Sequence, residues 1–124
     1  SYQQAWRDAG HPGNPTTVIR IPTLVADTKA EVTRGADALM KAAREYFSNM
    51  DIDFGVPGTQ SPDDTERANL FGTPEEVVEK IEILRDDYSA DEIMFEVNWT
   101  SAVPRDVVMN SMRIITDKVI PKFK

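Results

Sequence analysis

The sequence predicts an α/β protein with parallel strands, and three observations carry that expectation. Two short segments are rich in β-branched and aromatic residues, helical apolar spacing fills the stretches around them, and the helices open on recognisable caps. The elements run helix tail, strand, helix, insertion, helix, strand, helix, an alternation that belongs to neither a bundle nor a sandwich.

Each element has a local reason. In "SYQQAWRDAG" Tyr2, Ala5 and Trp6 share one side and Gly10 follows as a stop, so the segment reads as the tail of a helix. The loop "HPGNPTT" cannot continue it. Thr17 to Ala26, "TVIRIPTLVA", is the first strand. Pro22 within it lacks a ladder donor, so the strand is bulged there or that edge is unpaired. Thr28 and Glu31 are spaced as a capping box for a helix reaching about Phe47, with Val32, Ala36, Leu39, Ala43 and Tyr46 at helical spacing. Residues 48–70 show little periodicity and are expected to form an insertion loop, a lid or flexible stretch with a short helical turn at "SPDDTERA".

Thr73 then caps a helix whose first position is Pro74, and Glu75 and Glu76 sit where the helix dipole favours negative charge. Val77, Ile81, Leu84 and Tyr88 are its expected buried stripe. "DEIMFEVN" is the second strand, and "TSAVP" turns into a last helix from Pro104 to about Lys118. Val108, Met112, Ile115 and Val119 are expected on its apolar face, with Pro121 ending it. Two parallel strands cannot make a stable sheet alone, because both faces and both edges need cover. Residues 1–124 are therefore expected to be a single partial domain. Ser1 in place of Met, and a helix that begins in mid-stride, point to a fragment or a processed chain.

Composition narrows the partners. The 21 acidic and 14 basic residues leave a net charge of −7, which repels phosphate backbones, so no nucleic acid is expected. There is no cysteine, hence no disulfide, thiolate metal site or cysteine nucleophile. No apolar run approaches a membrane span, the N-terminal residues have no signal architecture, and a cytoplasmic location is the expectation.

Four segments occur in one order: "YQQAWRDAGHPG", "VIRIPTLVADT", "FGTPEEVVEKIEIL" and "FEVNWTSAVPRDVVMNSMRIITDKVIPKF". In this combination the chain resembles the C-terminal part of the luciferase-like, flavin-dependent monooxygenases, the bacterial luciferase family. The resemblance implies the C-terminal βα units of a (β/α)8 TIM barrel, with two strands, their helices and an insertion late in the barrel. It implies that the full-length protein is an oxidoreductase using reduced flavin mononucleotide and oxygen to oxidise an organic substrate. A deazaflavin is the alternative cofactor, and a flavin reductase an accessory partner. In the family most flavin contacts and the catalytic side chains come from earlier strands, so this chain alone is expected neither to bind flavin nor to catalyse, and no catalytic residue is assigned to it. Family members often carry a Gly-Gly turn after the final strand, where this chain has Thr100, Ser101 and Ala102.

Barrel active sites lie at the C-terminal ends of the strands, here near Ala26 to Thr28 and Val97 to Trp99. Asn98 and Trp99 are the cofactor-binding candidates, an amide to hydrogen-bond and an indole to wall a pocket. Turn formation and ordinary packing are the competing roles. Arg20, a charge in an apolar strand, is expected to make an internal structural ion pair with Glu96; contact with substrate or flavin and exposure at a strand edge are the alternatives. His11 belongs to a loop at the opposite end and is expected to be structural. "DIDFG" at Asp51 resembles the opening of a calcium loop, but Pro62 stands where the loop needs Glu, so no metal is expected. Glu75 and Glu76 likewise disfavour phosphate at their helix start. Expected partners are the missing N-terminal barrel segment or a second copy of this chain. The rival reading is a standalone acidic α/β interaction module, self-associating and without activity.

Overall fold

The computed structural model describes residues 1–49 and 69–124; the turn expected at "SPDDTERA" and the Asp51 segment lie outside the described residues. Three strands form one parallel sheet, in the order β2-β1-β3: β1 is Val18–Val25, β2 Leu70–Gly72 and β3 Glu92–Glu96. β1 is the hub. Its first half pairs with β3 from Val18↔Glu92 to Pro22↔Glu96, and its second half pairs on the other side with β2 from Thr23↔Leu70 to Val25↔Gly72. The sequence reading placed two strands; β2 is the correction, a three-residue strand with too little length to show alternation.

Pro22 causes no bulge, since the register runs on without an extra residue. The Ala26 N–H points to Gly72 of β2, so by alternation the Pro22 nitrogen faces the same edge. β2 begins only opposite Thr23, and the missing donor therefore falls on an edge unpaired among the described residues.

Helices occupy the two sides of β1 unequally. α1 (Tyr2–Asp8) buries no residue. α2 (Lys29–Ser48) joins β1 to β2, and α3 (Pro74–Tyr88) returns from β2 to β3. α4 (Arg105–Ile114) continues into a π-helical segment, Ile115–Val119, and a 3₁₀ turn, Ile120–Lys122. Ile21, Val25 and Leu70 leave the sheet on one side and pack with Val77, Ile81 and Leu84 of α3 and Ile114, Ile115 and Val119. Leu24 leaves on the other and meets Leu39 of α2, Val103 and Val107, with Phe71 and Trp99 against them.

The local devices are as chemistry demands. The Thr73 hydroxyl accepts from the Glu76 N–H while the Glu76 carboxylate accepts from the Thr73 N–H at 3.0 Å, a complete capping box. At α2 the Thr28 hydroxyl accepts from the Glu31 N–H at 3.3 Å and donates to its carboxylate at 3.0 Å. Gly35 lets α2 reach β1: a Cβ there would stand 2.5 Å from Leu24 Cδ2.

Three expected core positions are corrected. Tyr46 and Tyr88, at the last turns of α2 and α3, are 52% and 56% exposed. In α4 the fully buried face is Val107, Ser111 and Ile114; Val108 packs half-buried against the Leu24 cluster, while Met112 is 48% exposed. The face is turned by one residue because Ser111 goes inward, its hydroxyl accepting the Val25 N–H at 2.9 Å where β3 has already ended. The π-helical segment then brings Ile115 and Val119 into the same core.

Candidate functional site

In an open parallel sheet ligands bind beyond the carboxyl ends of the strands, at the strand where the chain reverses direction across the sheet. β1 is that strand, because the chain leaves it for β2 on one side and returns to β3 on the other. Beyond its end a crevice of about 250 Å³ is lined by Ala26, Asp27, Glu31, Arg34, Asp106, Val107 and Asn110. The starts of α2 and α4 form its walls.

Two ion pairs tie the crevice together. Arg34 bonds Asp106 at 3.2 Å across the two helices, and Lys118 donates to Asp27 at 2.6 Å from the π-helical segment. The hydrogen bond from Lys118 holds the Asp27 carboxyl below its ordinary range. Glu76 is lowered too, first by the Thr73 backbone N–H and then by Lys29 at 3.1 Å. These groups are exposed, so each interaction is screened and weak.

The cofactor candidates fall beside this crevice but are already engaged. The Asn98 amide accepts from the Val103 N–H at 3.0 Å and donates to the Val103 carbonyl at 3.4 Å, closing the turn from β3 to α4. Ser101 at the tip of that turn has φ +58°, the left-handed region that suits glycine. Trp99 packs against the Leu24 cluster and meets Tyr46 edge to face at 5.9 Å. The donor set here does not fit a flavin: Asp27, Glu31 and Asp106 would repel its phosphate, and the Asn98 amide has both its groups bonded to Val103.

Arg20 and Glu96 are brought together as an ion pair on adjacent strands. It is not internal, as the sequence suggested, for the Arg20 side chain is 65% exposed and only Glu96 is largely covered, at 17%. The physical reason is position: Val18, Arg20 and Pro22 point to the side of the sheet where α2 reaches only Leu24 and Phe71. His11 lies before β1, at the far end from the crevice, its ring 4.6 Å from that of Trp6. Among the described residues no cluster of His, Cys, Asp and Glu could hold a metal ion, and no helix is long and apolar enough to cross a membrane. The residue that sequence reasoning missed is Ser111, a buried hydroxyl whose only signal was its spacing of four from Val107.

The fold defined by these elements is an α/β arrangement of three parallel strands with helices. It is similar to the crystal structure of monooxygenase RslO1 from Streptomyces bottropensis, with a TM-score of 0.64 and 23% sequence identity. The match covers 99% of this chain and 36% of that one, so the chain spans about a third of its neighbour's length. The likeness is one of fold. Neither a family model nor a curated protein matches the sequence.

Proposed function

We propose that this chain is the C-terminal segment of a luciferase-like monooxygenase, a (β/α)8 barrel that uses reduced flavin and oxygen to oxidise an organic substrate. One observation carries the reading: among the described residues, a parallel sheet with one side packed on helices, most of the other side exposed and its outer edges unpaired, in a fold that matches a third of a monooxygenase. Parallel sheets are stable when covered on both sides, and a closed barrel supplies that cover by bringing further strands around. In this reading the segment is structural. Its cofactor, flavin mononucleotide or a deazaflavin, is held by strands outside this chain, a reductase supplies the reduced form, and the enzyme works in the cytoplasm. The substrate oxidation itself is the cofactor's chemistry; the chain's contribution is to hold the strand ends and exclude water around them.

Two measurements test it. The intact mass and sequence of the encoded product should reveal several βα units ahead of this chain. Reduced and oxidised flavin mononucleotide, titrated against the chain alone, should keep their free fluorescence, whereas the whole protein should quench or shift it. A product that begins where this chain does, or tight flavin binding by the chain alone, overturns the proposal. The Asn98–Val103 closure favours a second reading, a small acidic interaction module without chemistry, since it removes the amide best placed to meet a ligand.

A further inference from the structure

α4 and its π-helical continuation pass across the carboxyl end of β1, from one side of the sheet to the other. Val107 meets Leu24 on the α2 side, and the Ser111 hydroxyl accepts the Val25 N–H at 2.9 Å. Ile114, Ile115 and Val119 then pack with Ile21 and Val25 on the α3 side. Asp27, just beyond the strand, is straddled: Asp106, Val107 and Asn110 line the crevice with it, and Lys118 reaches it at 2.6 Å.

This helix carries one residue too many for an α-helical face. Its buried positions are Val107, Ser111, Ile114, Ile115 and Val119, while Thr116, Asp117 and Lys118 are exposed. At about 100° per residue an α-helix would set Lys118 about 20° from Ser111, inside the buried face, and Val119 about 80° away. The π-helical turn prevents that. The Ile120 N–H bonds the Ile115 carbonyl, five residues back, so the wider turn takes up one residue and Val119 arrives inward. Pro121 removes a hydrogen bond at the helix end but adds no residue. By count, any of the three exposed residues could be the surplus one. Their contacts separate them: the Thr116 hydroxyl donates to the Met112 carbonyl and Asp117 pairs with Arg113, both within the helix, whereas Lys118 bonds outside it.

We propose that the surplus residue is Lys118 and that it is a positioning residue, fastening the helix to Asp27 and fixing that carboxylate at the mouth of the crevice. Stability does not account for it, because both side chains are about half exposed and such pairs are weak. Position does. Asp27 stands beyond the strand at which the chain reverses direction across the sheet, where ligands of open parallel sheets bind. Lys118, with Arg113 behind it, holds the Asp27 carboxyl below its ordinary range. Glu31 and Arg34 of α2 and Asp106 of α4 are the other charged groups lining the crevice. The inference goes beyond the enzyme reading and stands without it.

The test uses the full chain with Lys118 deleted, with Lys118→Met and with Lys118→Arg. Deletion returns Val119 to the α-helical position of the buried face, so the urea midpoint should stay within about 10% of the parent's. Carboxyl-carbon NMR titration should show the Asp27 midpoint rising in the deletion and Lys118→Met chains and staying low in Lys118→Arg. Glu31, Arg34, Asp106 and Arg113 are present in all three, so the change belongs to Lys118. A deletion chain that loses its cooperative transition, or an Asp27 midpoint that Lys118→Met leaves unmoved, overturns the proposal.

Discussion

The two sides of the β1–β3 pair differ sharply in burial. On one side Ile21 and Val25 are 5% and 1% exposed beneath α3 and the α4 segment. On the other, Val18 is 49% and Met94 55% exposed beside the Arg20–Glu96 pair. The same two strands thus carry a finished core and an unfinished surface. The difference teaches that, among the described residues, the helices cover one side of the β1–β3 pair and leave most of the other exposed.

Substitution should reproduce that asymmetry. Ile114→Ala removes a wholly buried side chain from the finished core and should cost about 2–5 kcal/mol in urea unfolding, while Met94→Ala on the bare side should stay within about 0.5 kcal/mol. Comparable losses at both positions would break the comparison. Ser111→Ala leaves the buried Val25 N–H without an acceptor and should cost about 1–3 kcal/mol, with Ser111→Thr recovering part of it.

Gly35→Ala improves helix propensity by about 1 kcal/mol, yet its Cβ would press on Leu24 and Val107, both buried. Overpacking there should dominate and leave a net loss of about 1–2 kcal/mol, read from the same unfolding curves. Acid should act most weakly. Asp27 and Glu76 have folded pKa values below their unfolded ones, so their contribution is complete above the ordinary carboxylate range and is lost as pH falls through the lowered values. Unfolding midpoints should hold from pH 7 to about 5 and drop below about 4, and Asp27→Asn should shallow that drop.

What was legible in the sequence was local or periodic. Thr73, Pro74 and Glu76 announce their helix within four positions, and the structure closes the same box. The stripe Val77, Ile81, Leu84 was readable because each residue is apolar at helical spacing. β2 was not, since Leu70–Gly72 offers three residues and takes its identity from pairing with β1, a contact across the whole of α2. The phase of α4 was hidden by Ser111, a polar residue drawn inward by a strand N–H, and by Met112, an apolar residue left outside. At the strand ends the positions of Asn98 and Trp99 could be foreseen, while the closure of Asn98 on Val103 depends on the turn through Ser101. Arg20 and Glu96 could be matched from adjacency, but their exposure could not, because it depends on which helix covers which side.

Amide hydrogen exchange of the isolated chain tests the central claim, an incomplete parallel sheet, most directly. Amides of β1 paired to β3, and the Val25 amide held by Ser111, should be protected close to the global stability. The alternate amides of Glu92–Glu96 that face outward should exchange at nearly unprotected rates. Protection of every β3 amide to the level of β1, in a chain that sediments as a monomer, would contradict the account.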